Sequence, residues 1–140
     1  MSTKHFSCSL SDTKSIAENF ARTLSPGDVV AFVGEMGAGK TAFTRCALAA
    51  LGITDRVQSP TFAIVNAYKT PAGTNVYHFD MYRVSSVDEL DTTGYYDYLD
   101  SGNNILFVEW SENIADCIPK TARYVKIKTI SETKREIEIC

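Results

Sequence analysis

Gly34-Glu35-Met36-Gly37-Ala38-Gly39-Lys40-Thr41 fits the pattern G-x-x-x-x-G-K-[ST]. At ordinary residue frequencies, a chance match in a chain of this length is expected on the order of 0.5% of the time. Each position has a task in holding phosphate. An anion is best bound by several converging backbone N–H groups, and a glycine-rich loop lets the chain curl around it. A helix opening near Gly39 adds the positive end of its dipole. Lys40 reaches the β and γ phosphates, and the Thr41 hydroxyl holds Mg²⁺. The motif implies a bound nucleotide and Mg²⁺.

Phosphoryl transfer also needs an acidic residue on the metal and a group that orients the attacking water. Two carboxylates fall at the ends of strand-like segments. Asp80 lies in His78-Phe79-Asp80-Met81-Tyr82-Arg83, and Glu109 closes Ile105-Leu106-Phe107-Val108. Ligand-facing side chains of an α/β sheet sit at such strand ends. Bland alternatives stand beside each. Glu109 is also readable as a solvent-exposed strand end, and Asp80 as a salt-bridge partner of Arg83. Thr61, in Ser59-Pro60-Thr61, is either a switch threonine that senses the γ-phosphate or the start of a strand. Trp110 is more readily a packing residue than a ligand contact. Asp91-Thr92-Thr93-Gly94 matches the D-x-x-G of GTPases, but it follows a helix-like segment and no N-K-x-D accompanies it. A GTPase is excluded.

The elements that must carry these residues follow from periodicity. Ile16, Ala17, Phe20, Ala21 and Leu24 recur at helical spacing, with Ser11 or Asp12 as the cap. Ser25-Pro26-Gly27-Asp28 is a turn. Val29 to Val33 and Ile105 to Val108 are continuously apolar, the pattern of strands buried on both faces. Thr41 to Leu51 reads as a helix closed by Gly52. Thr61 to Tyr68 and Thr74 to Tyr82 flank a hairpin turn at Thr70-Pro71-Ala72-Gly73. Ser85 to Leu90 and Tyr95 to Leu99 are short helices, and Arg123 to Thr129 with Arg135 to Ile139 form a closing antiparallel pair. The expected fold is α/β: a single domain over residues 1–140, a P-loop NTPase with a mixed sheet flanked by helices and an antiparallel C-terminal hairpin.

Composition narrows the function classes. The 140 residues are 44% hydrophobic and 22% charged, which suits an ordinary globular domain. No apolar run approaches the ~20 residues of a membrane span, and Met1 to Leu10 lacks a signal peptide's apolar core. A cytoplasmic chain without membrane contact is expected. The 14 Lys and Arg against 17 Asp and Glu leave a net charge of −3, and the closest basic cluster is Lys126, Lys128, Lys134 and Arg135. Direct gripping of DNA or RNA is disfavoured, since that requires a basic footprint. Cys8, Cys46, Cys117 and Cys140 form no C-x-x-C pair, and His5 and His78 stand far from any of them. They read as free thiols in a reducing compartment.

With these residues in place, the chain resembles the TsaE (YjeE) family of bacterial P-loop ATPases. The likeness rests on Gly27-Asp28, the loop Gly34 to Thr41, Ser59-Pro60-Thr61-Phe62, His78-x-Asp80-x-Tyr82-Arg83, Glu89-Leu90 to Gly94, and Glu109-Trp110, in that order. Glu35 and Met36 stand where the family usually has Asp and Leu. Thr93 and Asp97 replace a usual Leu and Glu. The resemblance implies that Thr41 and Glu109 bind Mg²⁺, and that Glu35, Met36, Gly37, Ala38, Gly39, Lys40 and Thr41 form the phosphate cradle. It implies hydrolysis supported by Lys40, Asp80 and Glu109, with Thr13 touching the nucleotide and Arg135 approaching it from the C-terminal hairpin. It further implies a role in forming threonylcarbamoyladenosine at position 37 of tRNA, by docking on a TsaD–TsaB heterodimer, with tRNA met only through that complex. Hydrolysis by the chain alone should be weak, since it shows no obvious arginine finger; Arg83 is a candidate. The other classes are a small-molecule P-loop kinase, for which no Arg-rich lid follows the loop, and a nucleotide-dependent binding module.

Overall fold

The two continuously apolar segments lie side by side within one seven-stranded sheet. The computed structural model describes residues 2–34, 39–53, 65–81, 84, 90 and 93–140. Its elements are β1 (Thr3–Ser7), α1 (Leu10–Ala21), β2 (Val29–Gly34), α2 (Lys40–Ala50), β3 (Val65–Lys69), β4 (Asn75–Asp80), α3 (Tyr95–Ser101), β5 (Ile105–Glu109), a 3-10 segment over Ser111–Cys117, β6 (Arg123–Thr129) and β7 (Arg135–Ile139). The strand order is β1-β7-β6-β2-β5-β4-β3. Strands β6, β2, β5 and β4 run parallel, whereas β3 at one edge and β7 and β1 at the other pair antiparallel.

The period of two along each strand divides the core. Val30, Phe32 and Phe107 face α1 and α2, where they meet Phe20, Phe43 and Leu48. Val29, Ala31, Leu106 and Val108 face the other way, toward Phe79, Leu90 and Tyr95. Because helices or loops cover both faces, β2 and β5 are apolar at nearly every position. Each fully buried Phe or Leu contributes about 1.5–3 kcal/mol. The strand ends are thereby held on rigid ground.

The start of α1 differs from the expectation. Ser9, not Ser11 or Asp12, is the cap: its hydroxyl accepts from the Asp12 amide at 3.1 Å. Asp12 reaches back in turn, its Oδ2 accepting from the amide of Cys8, the residue before the cap, at 2.9 Å, a close variant of the capping box. The turn at Ser25–Asp28 and the hairpin turn at Thr70–Gly73 are present, and the C-terminal pair occupies the expected residues. Strand β1 and the 3-10 segment were not expected. Residues 61–64, within the expected strand from Thr61, and 85–89, within the expected helix to Leu90, lie outside the described residues.

Candidate functional site

Strand β2 ends at Gly34, and α2 begins at Lys40 after Gly39. Gly34 is held against β6: a Cβ there would stand 2.6 Å from the Ile127 carbonyl oxygen, so any side chain would push the two strands apart. Gly39 has φ +104°, a left-handed conformation that glycine adopts without steric penalty. From the first turn of α2, Lys40 reaches back across this connection and donates to the Gly34 carbonyl at 2.9 Å. Its ammonium also lies 4.5 Å from the centre of the Trp110 ring. A cation over an indole face is attracted by the ring quadrupole. The lysine is buried, and its neighbours are a carbonyl and an aromatic face, contacts that an incoming phosphate can replace. Thr41 follows on the same turn, half-buried.

Glu109 closes β5, and strand pairing sets Asp80, the last residue of β4, directly opposite it. The two expected carboxylates therefore come together at one end of the sheet. Glu109 is not a solvent-exposed strand end. It is 4% exposed, and its Oε2 lies 2.6 Å from His78 Nε2. A carboxylate can only accept, so Nε2 donates. The other ring nitrogen, Nδ1, is buried and has no hydrogen-bond partner among the described residues, a loss of about 1–3 kcal/mol.

Past Glu109 the chain turns sharply. Trp110 adopts φ 57° and ψ 40°, the only non-glycine residue with positive φ among those described. Such a conformation costs a bulky residue about 1–3 kcal/mol and gathers at functional sites. The turn is tied to the sheet by Ser111, whose hydroxyl donates to the Phe32 carbonyl at 3.0 Å. The tie holds Trp110 where its ring meets Lys40.

Beside the start of α2 lies an open cleft of about 300 Å³. Thr13, Arg135, Gly39 and Ala42 line it together with Ser9 and Leu10, so three expected nucleotide contacts from distant parts of the chain share one cavity. The Ser7 hydroxyl donates to the Ser9 carbonyl at 2.8 Å and meets the Thr13 hydroxyl at 2.6 Å. Each hydroxyl has one hydrogen, so Thr13 donates to Ser7 and its own oxygen remains an acceptor. Arg135 closes the β6–β7 turn, donating to the Ser131 carbonyl at 2.7 Å. Glu35, Met36, Gly37 and Ala38 lie outside the described residues, as do Thr61 and Arg83.

Sequence reasoning assigned no task to His78, because its partner is 31 residues away. The available signal was the alternation His78-x-Asp80 on one strand, which puts both side chains on the face shared with Glu109. The basic cluster is dispersed by pairing: Lys126 stands opposite Glu138, and Lys128 opposite Glu136. Lys4 flanks Glu138 from the other side. Alternating signs across three strands leave no basic stripe for a nucleic-acid backbone. No helix among the described residues is long and apolar enough to cross a membrane.

Residues 7–137 match the family model described as "Threonylcarbamoyl adenosine biosynthesis protein TsaE". The chain is similar to proteins named tRNA threonylcarbamoyladenosine biosynthesis protein TsaE from three bacteria. It is 38% identical to that of Rickettsia typhi over 125 residues, covering 89% of this chain and 85% of the relative. Identity to the Bacillus subtilis protein is 38%, covering 90% and 77%; to that of Aquifex aeolicus it is 35%, covering 91% and 88%. The fold matches the crystal structure of Bacillus subtilis YdiB with a TM-score of 0.80 at 33% identity, over 99% of this chain and 84% of that one.

Proposed function

The chain belongs to the TsaE family of tRNA threonylcarbamoyladenosine biosynthesis proteins, and from that premise we propose that it is a Mg²⁺-dependent ATPase that acts on a TsaD–TsaB complex without itself transferring the threonylcarbamoyl group. The observation that carries the ATPase reading is Lys40. It is a buried cation at a helix start whose contacts among the described residues are the Gly34 carbonyl and the ring of Trp110, the residue that follows a buried strand-end carboxylate.

In this reading the phosphates lie over Gly39 and the first turn of α2, with Lys40 turning from Gly34 toward the β and γ phosphates. The nucleoside occupies the cleft between Thr13 and Arg135. The donor set fits a phosphate-bound Mg²⁺. Such an ion takes one or two protein oxygens, with water and phosphate oxygens completing the octahedron. No group of three or more His, Cys, Asp or Glu among the described residues is arranged to hold a metal ion by itself, so these residues offer no self-sufficient cage. Thr41 and Glu109 are the residues that would hold the ion, which would neutralise charge developing on the phosphates. Asp80, opposite Glu109, orients the attacking water.

The candidate finger Arg83 lies outside the described residues, and two of the described arginines are engaged away from the phosphates. Arg123 lies over the Phe20 ring, and Arg135 is tied to the hairpin turn. In this reading the partner supplies the further positive charge on the phosphates, as arginine fingers do in other nucleotide hydrolases. The neutralised charges of the β1-β7-β6 face agree with a protein partner and indirect contact with tRNA, in the cytoplasm.

Equilibrium binding of ATP to the unaltered chain and to Lys40→Ala tests the ATPase reading. The variant should lose affinity by at least about tenfold, as expected when a charge-assisted contact is removed, while circular dichroism stays native. Unchanged affinity in a folded variant would overturn the phosphate-loop assignment.

A further inference from the structure

We propose that His78 is a positioning residue that locks the Glu109 carboxylate in one orientation, holding Oε2 so that Oε1 is the oxygen offered to Mg²⁺–ATP. The proposal rests on the ATPase reading above and adds to it a residue with a defined task.

The geometry is specific. Strand pairing places Phe107 beside His78 and Glu109 beside Asp80. The His78 ring therefore reaches diagonally along the sheet to meet Oε2 at 2.6 Å, a short contact for an N–H···O bond, whose charge-assisted forms run at about 2.7–2.9 Å. His78 is fully buried and Glu109 nearly so, leaving little water to compete for the carboxylate.

The second ring nitrogen supplies the stronger argument. Nδ1 is buried with no partner among the described residues. On stability alone, an apolar side chain suits this position better, since buried polar atoms without partners are unfavourable. His78 lies between the core residues Val76 and Phe79 on its own strand. What the ring offers in return is its single bond to Glu109. Carboxylates that face metal ions are commonly oriented by such an outer hydrogen bond, and losing it lowers metal affinity by about 10–100-fold.

Two polar variants separate orientation from stability. In His78→Gln the amide nitrogen stands close to where Nε2 was and can still donate to Glu109. In His78→Asn it stands near Nδ1 and falls short. ATP affinity is measured first without metal, followed by Mn²⁺ affinity of the ATP complex by electron paramagnetic resonance and the thermal midpoint of each variant. The expected result is metal-free ATP affinity within about twofold for both variants. Mn²⁺ binding should be about tenfold weaker in His78→Asn and within about threefold of the unaltered chain in His78→Gln. Equal Mn²⁺ affinity in all three proteins overturns the positioning role. Equal loss in both variants, tracking the fall in thermal midpoint, overturns it in favour of a structural bond. Absence of ATP binding by the unaltered chain shows at the first step and overturns the ATPase reading, with the proposal that stands on it.

Discussion

Lys40 lies over the indole of Trp110 at 4.5 Å, joining the first turn of α2 to the residue that follows the buried carboxylate of β5. Trp110 is the chain's one tryptophan, so tryptophan emission comes from this part of the site, where Lys40 meets the ring. Drawing Lys40 toward phosphate removes a cation from the ring face, a change worth about 0.5–2 kcal/mol in interaction energy. ATP should therefore shift the emission saturably, and Lys40→Ala should abolish the shift. An emission spectrum indifferent to saturating ATP would separate Lys40 from the phosphates.

Thr13 should favour adenine over guanine. Its oxygen is left as an acceptor by the Ser7–Ser9 chain of hydrogen bonds, and the 6-amino group of adenine donates where the 6-oxo group of guanine cannot. Loss of one neutral hydrogen bond is worth about 0.5–1.5 kcal/mol. Thr13→Val should weaken ATP by about 2–10-fold in a competition assay while leaving GTP unchanged. An equal effect on both nucleotides would place the base elsewhere.

Alkaline stability should depend on Tyr95. Burial, aided by the neighbouring Cys117, pushes its phenol well above the ordinary range, and the hydroxyl donates to the Cys117 carbonyl at 2.9 Å. The folded state therefore holds the proton more tightly than the unfolded chain. Its stabilising contribution is complete below an unfolded pKa of about 10 and falls as pH rises beyond it. Tyr95→Phe should lose about 1 kcal/mol at neutral pH and show a shallower decline above pH ~10. Urea midpoints across that range measure both, and an unchanged alkaline slope would remove Tyr95 as its cause.

Much of the site was legible because its parts are local or periodic. The loop and Lys40 are contiguous, and β2 and β5 announce themselves by burial on both faces. Glu109 and Asp80 were found from where their strands end. The rest depends on pairing between distant segments. Strand β1 has one buried side chain, Ser7, so its pattern is faint and its existence follows from the edge of β7. The 3-10 segment is short and broken at Ile114, where φ is −128°. The true cap of α1 needed the capping-box spacing Ser9-x-x-Asp12, read two residues earlier than the apolar periodicity suggested. His78 acquires its meaning only from a carboxylate on the neighbouring strand.

The most direct test is phosphate release from Mg²⁺–ATP by the purified chain, alone and with a TsaD–TsaB pair. Slow release alone should rise by at least about tenfold with the pair, as expected when a partner completes a phosphoryl-transfer site. Glu109→Ala should lose that stimulated rate while still binding nucleotide. ATP bound with full affinity but phosphate released no faster in the presence of the pair would contradict a partner-gated ATPase.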